Sequence, residues 1–139
     1  MTESAFTLDP RLSADTAEVG DLALCRVLLM DDARFPWLIL VPRRPDLAEI
    51  TDLSEPDSAA LWQEIRIATG VMQALAKPDK VNVGALGNVV AQLHVHVVGR
   101  FRSDPAWPGP VWGFETRKPY PLHARAQLIE RAGTLFAAA

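Results

Sequence analysis

The sequence predicts an α+β domain built on a mainly antiparallel sheet. Three observations carry that reading. Apolar runs arrive in pairs with short joins, and helical patterns fall before and after those pairs rather than between successive strands. The chain has 139 residues, enough for one domain, 1–139, to bury a core without disulfides or metals.

The elements follow in order. "LDPRLSADTAEVGD" is polar with Pro10 early and reads as a short helix followed by a turn at Gly20. "LALCRVLLM" (22–30) is apolar almost throughout and bounded by Asp21 and Asp31-Asp32, as suits a strand buried on both faces. "WLILVP" (37–42) follows Pro36 after a loop of six residues, so the two runs read as a hairpin. Ser54 is placed to cap a long helix, with Pro56 in its first turn and Asp57 three residues on. Leu61, Ile65, Ala68, Met72 and Leu75 form its apolar stripe, and Pro78 ends it. "VNVGAL" (81–86) and "AQLHVHVVGR" (91–100) read as two further strands joined across "GNVV". "SDPAWPGPVWGFETRKPYP" is irregular but too apolar for disorder. The tail "PLHARAQLIERAGTLFAAA" is a second helix with Leu122, Ala126, Ile129 and Leu135 on one side and His123 on its surface.

Composition narrows the function classes. Hydrophobic residues make up 49% and charged residues 22%, the balance of an ordinary globular protein. A net charge of -3 argues against a nucleic-acid groove, which needs a basic surface. A small anion remains compatible, because backbone amides and local dipoles hold phosphate without net positive charge. Cys25 is the single cysteine, which excludes an intrachain disulfide and a cysteine-based zinc cluster. No apolar run reaches the roughly 20 residues of a membrane helix, and "MTESAFTLDPRL" lacks the pattern of a signal peptide. A cytoplasmic protein with no membrane partner is expected.

The chemistry concentrates in "AQLHVHVVGR". On a strand Leu93, Val95 and Val97 face the core, and Gln92, His94 and His96 share the opposite side, about 6 to 7 Å from one to the next. Polar groups repeated on alternate positions of an apolar strand need an explanation, because burial penalises them. Three readings are open. Two histidines can ligate a metal, but a site needs three or four ligands, and His123, Cys25 and scattered carboxylates show no fitting spacing. Both histidines can be structural and hydrogen-bonded to neighbours. Or they can work on a phosphate, with Gly84 and Gly87 in "GALGN" letting the backbone approach an anion just upstream.

"QLHVHVVGR" resembles the signature of the histidine triad (HIT) family, His-x-His-x-His-x-x with aliphatics between. The resemblance extends over roughly residues 5 to 115, through "WLILVPRR", the long helix, "KVNVGALGN" and "WPGPVWG", and is similar to a group of short bacterial members. It implies a mainly antiparallel sheet of about five strands with one long helix and a C-terminal helix. It also implies a nucleotide hydrolase or transferase acting at an α-phosphate through a nucleotidyl-histidine, with no cofactor and no metal, taking purine nucleotides or their conjugates. By position His94 would be the nucleophile, oriented by the backbone carbonyl of Gln92, and His96 would touch the phosphate or leaving group. Neutral imidazole, the main form at pH 7 for an ordinary pKa of about 6.5, offers a lone pair without an activating base. Gly87, Asn88 and Val89 would wrap the phosphate. Asp31 or Asp32 would meet the ribose hydroxyls, with Asn82 as a further candidate.

Two residues depart from the pattern: Gln92 stands where the first signature histidine belongs, and Val89 where many members carry Ser or Thr. Loss of such a donor is worth up to about 10²-fold in rate. A nucleotide-binding protein with little catalysis is therefore the alternative. The resemblance also implies a homodimer, with segment 101–139, and Trp107 and Trp112 in particular, at the interface or sheet edge or reaching a partner's site.

Overall fold

The described residues form five strands and three α-helices. The strands are β1 (Thr16–Asp21), β2 (Cys25–Met30), β3 (Trp37–Pro42), β4 (Lys80–Gly84) and β5 (Val95–Arg100), and the helices are α1 (Pro10–Asp15), α2 (Glu55–Ala76) and α3 (Leu122–Ala137). The computed structural model describes residues 5–139. Residues 1–4, the start of the stretch read for targeting signals, lie outside the described residues. The sheet order is β1-β2-β3-β5-β4, and every neighbouring pair is antiparallel. Among the described residues no helix is long and apolar enough to cross a membrane.

Side-chain alternation along the central strands sorts the core into two layers. Val27, Leu29, Leu38, Leu40, Val95 and Val97 point to one face and meet α2 and α3. Leu28, Trp37, Ile39, Val41 and Val98 point to the other, where Leu12 of α1 and Val111 of the irregular segment cover them. The α2 stripe, Leu61, Ile65, Ala68, Met72 and Leu75, is buried as its periodicity predicts. Ser54 caps α2 by accepting the Asp57 amide at 3.2 Å, and the helix ends through Lys77 in a left-handed conformation just before Pro78.

Three boundaries differ from the sequence reading. Thr16–Asp21 is not the end of a helix and a turn but an edge strand, β1, with a bulge between Glu18 and Gly20. Its polar, half-exposed side chains hide it: only pairing with β2 makes it a strand. The run 91–100 pairs only from Val95, and β4 stops at Gly84, so ten residues lie between the two strands. Leu93 explains this, since its amide bonds the Leu47 carbonyl at 2.9 Å and not β4. In α3, Leu122 and Ala126 are exposed and the packed side is Leu128, Ile129, Ala132, Leu135 and Phe136.

Candidate functional site

The loop between β4 and β5 and the start of β5 wall a cavity of about 490 Å³ on the sheet face away from α2. His94 and His96 line it together with Gly87, Asn88 and Val89, so five of the predicted site residues meet there. The loop turns back at Gly87, whose φ of +73° suits glycine. Arg11, Leu12, Asp15 and Thr16 close a second side from the N-terminal segment and β1, and Met30, Trp37 and Ile39 form the floor. Trp112 completes the wall.

The two imidazoles pack edge to face, ring centroids 4.8 Å apart, and each is only 6% exposed. Their Nδ1 atoms have opposite partners. His94 Nδ1 lies 2.6 Å from the Gln92 carbonyl oxygen, which can only accept, so this nitrogen carries the proton and Nε2 keeps a lone pair. His96 Nδ1 lies 3.0 Å from Trp37 Nε1, which can only donate, so Nδ1 is the acceptor and Nε2 carries the proton. One ring is set up as a nucleophile or base, its neighbour as a hydrogen-bond donor. Burial, and then the adjacent His94, push the His96 imidazole from 6.5 down to about 3, which keeps it neutral.

Trp112 sits where it does because Gly84 has no side chain. A Cβ on Gly84, which pairs with His96 across the sheet, would come within 3.2 Å of the Trp112 ring. The indole then stacks edge-on with His96 at 5.5 Å and with Trp37 at 6.4 Å. Its Nε1 is buried and has no protein partner. Through Trp112 and Gly113 the irregular segment therefore covers the cavity of its own chain. Gly84, read as a turn glycine, serves instead as space.

Four predicted residues lie outside the cavity wall. Asp31 is turned toward the C-terminal segment, accepting the Tyr120 amide at 2.9 Å and Arg125 Nη1 at 3.2 Å. Asp32 is 1% exposed and chelated by Arg34, with Nη2 at 2.8 Å. Burial raises its carboxyl, but the Arg34 side chain and the Arg34 and Lys118 amides outweigh that and hold it below its ordinary range. Asn82 accepts from Arg100 Nη1 at 3.0 Å. The side chains of all three, expected at the ribose hydroxyls, are thus engaged with Arg34, with Arg100 or with the segment after β5, away from the cavity wall. Asp15 is the carboxylate on the cavity wall instead. Gln92 brings its carbonyl to His94, but its side chain turns to the N-terminal segment rather than sharing a face with the histidines.

Sequence reasoning missed Arg11, Asp15, Trp37 as the partner of His96, and the position of Trp112. Trp37 alternates with Ile39 onto the face of β3 that also pairs with His96's strand, and that register was readable in principle. The others depend on contacts between segments far apart in sequence. Among the described residues no three His, Cys, Asp or Glu side chains group as metal ligands. Cys25 is fully buried, and burial together with Glu64 pushes its thiol far up, which makes it a poor nucleophile.

The HIT domain model matches residues 11–103. A histidine triad protein from Sinorhizobium meliloti is 46% identical, with 91% of this chain and 94% of that chain covered and a TM-score of 0.90. One from Bradyrhizobium japonicum is 43% identical over 96% and 99%, with a TM-score of 0.93. One from Marinobacter aquaeolei is 42% identical over 97% and 98%, with a TM-score of 0.94. No curated protein matches the chain. A domain match over more than half the sequence, joined to likenesses of this identity and coverage, means that the chain belongs to the HIT domain family.

Proposed function

We propose that this protein binds a purine nucleotide conjugate, such as a nucleoside phosphoramidate, and cleaves it at the α-phosphate through His94. The opposed hydrogen bonding of the two histidines carries this reading. His94 Nε2 attacks phosphorus, a P–N bond to the ring forms, and the bond to the leaving group breaks with its electron pair, the leaving group taking a proton from solvent. The adduct is an imidazolium, and the Gln92 carbonyl, already holding Nδ1–H, stabilises the charge it acquires. His96 Nε2–H is placed to donate to the phosphoryl oxygen or the leaving atom. Water then attacks phosphorus, releases a proton to solvent and frees His94 with the nucleoside monophosphate as product.

The surroundings suit such a ligand. The cavity volume lies within the usual range for small-molecule sites, and the apolar floor of Met30 and Ile39 offers a purine a surface. The edge strand β4 has an unpaired outer side and an exposed Val83, which supports the expected homodimer. Light scattering after gel filtration gives the mass that decides it.

The direct experiment is incubation with adenosine phosphoramidate. Adenosine monophosphate should accumulate, and mass spectrometry of quenched protein should reveal an adenylyl adduct that His94→Ala lacks. Nucleotide binding without product would leave the binding-only alternative standing. Equal turnover by wild type and His94→Ala would remove the mechanism.

A further inference from the structure

Gln92 spends its side chain on the N-terminal segment. Its amide oxygen accepts from the Asp9 amide at 2.8 Å, and its amide nitrogen donates to the Thr7 carbonyl at 2.9 Å. In an extended chain the carbonyl of one residue and the N–H two residues on point to the same side, offering an acceptor and a donor in parallel. A primary amide answers both at once, as a neighbouring strand would. The two nitrogens of an imidazole point along diverging lines and meet only one of them well. A second tie follows at Arg11, whose Nη1 donates to the Val89 carbonyl at 2.9 Å. Segment 7–11 is thus held against loop 89–92 at both ends.

The consequence is the placement of charge. Among the described residues Arg11 is the only lysine or arginine on the cavity wall, and the carboxylate there, Asp15, is paired with Arg117 at 3.4 Å. The loop itself offers an anion backbone amides and Asn88, while the Val89 side chain, 78% exposed, has no donor. Arg11 is 60% exposed; Nη1 spends one N–H on Val89, the contacts of Nε and Nη2 to Asp9 are long, 3.4 and 3.5 Å, and one N–H on each of Nη1 and Nη2 remains available. Resting on the reading of the cavity as a nucleotide site, we infer that Arg11 is the cation that holds the nucleotide's phosphate. Gln92 is its positioning residue, clamping the Thr7–Arg11 segment to the loop. The pair selects nucleoside phosphates and their conjugates over uncharged nucleosides.

Calorimetry with AMP and adenosine on the full chain separates the possibilities. Arg11→Ala should weaken AMP by about tenfold, the scale of one charge-assisted contact at an exposed site, and leave adenosine within about twofold. Arg11→Lys should recover much of the loss. Gln92→Ala should weaken AMP alone, by less, and add nothing in an Arg11→Ala background, because its effect runs through Arg11. Unchanged AMP affinity in Arg11→Ala, or an equal loss for adenosine, overturns the inference. A full further loss in the double variant overturns the role of Gln92. Wild type binding neither compound overturns the nucleotide reading itself, and the inference with it.

Discussion

The two faces of the sheet are closed by different means. Toward α2, apolar side chains meet an apolar helix stripe, and the one polar intruder is Glu64, which accepts the Leu24 and Cys25 amides at 2.8 Å each. On the opposite face the cover is an irregular segment, fastened by charged side chains to backbone: Arg34 to the Phe114 carbonyl at 2.7 Å, Arg100 to that of Gly109 at 2.8 Å, and the Tyr120 amide to Asp31. A helix closes a face by filling it. A fastened loop leaves a cavity, and polar groups have room to act there. Changes on the helix face should therefore cost stability alone, while changes on the loop face should divide into those that stop chemistry and those that release the cover.

The largest effect expected is His94→Ala, which should lower phosphoramidate turnover by about 10³-fold or more through loss of the nucleophile. Adenosine affinity should change little. A residual rate within tenfold of wild type would mean that the loop face holds its chemistry elsewhere.

Next comes release of the cover. Arg100 is 2% exposed and answered by both Asp104 oxygens at 2.9 and 3.1 Å. Burial raises the Asp104 carboxyl, but Arg100 and the Phe101, Trp107 and Ala106 amides prevail and bring it down to about 2. Asp104→Asn leaves a buried guanidinium without its counter-charge and should cost about 3 kcal/mol in urea denaturation. Proteolytic cuts should appear first within residues 101–121. A loss no larger than that of an exposed ion pair would show that the segment is held mainly by its aromatics.

These two faces also differ in how far they can be read from sequence. The α2 stripe, the Ser54 cap and β3 are visible because each depends on spacing within one short stretch. The signature histidines and the Gly87–Val89 loop are visible for the same reason. The settings of Asp31 and Asn82 are not legible locally, because Asp31 is joined to Arg125, 94 residues on, and Asn82 to Arg100, whereas the partner of Asp32, Arg34, stands only two residues away. Arg11 and Trp112 reach the cavity only once α1 and the irregular segment have folded over the sheet. Glu64 carries a long-range polar contact on the helix face, and a carboxylate beside an apolar stripe is a signal that the sequence offers.

A smaller effect tests the helix face. Gly99 sits under α2, and a Cβ there would come within 2.9 Å of both Met72 Sδ and Pro36 Cγ. Methionine can yield, but the Pro36 ring closes the β2–β3 loop and cannot. Gly99→Ala should destabilise by about 2 kcal/mol, read from the urea midpoint, with turnover per folded molecule intact. A variant that kept its stability but lost turnover would break the division between the faces.

The finest test is the pH dependence of His96, because it asks whether the loop face keeps this ring dry. Its folded pKa, about 3, lies below the unfolded value near 6.5. Between those values the unfolded chain binds a proton that the folded chain refuses, so stability is full above pH 6.5 and falls as pH drops toward 3. The expected slope from this residue is about 1.4 kcal/mol per pH unit. His94, Arg11 and Asp15 share the cavity and are present in wild type and variant alike, so the comparison must be differential. His96→Asn supplies it: an amide oxygen stands where Nδ1 accepts from Trp37, and the ionisable ring is gone. The variant is less stable throughout, through lost volume, but its curve between pH 6 and 4.5 should be flatter than that of wild type by nearly the full slope. Parallel curves would mean that water reaches His96 and protonates it in the folded protein, and the assignment of Nε2 as a standing donor would go with them.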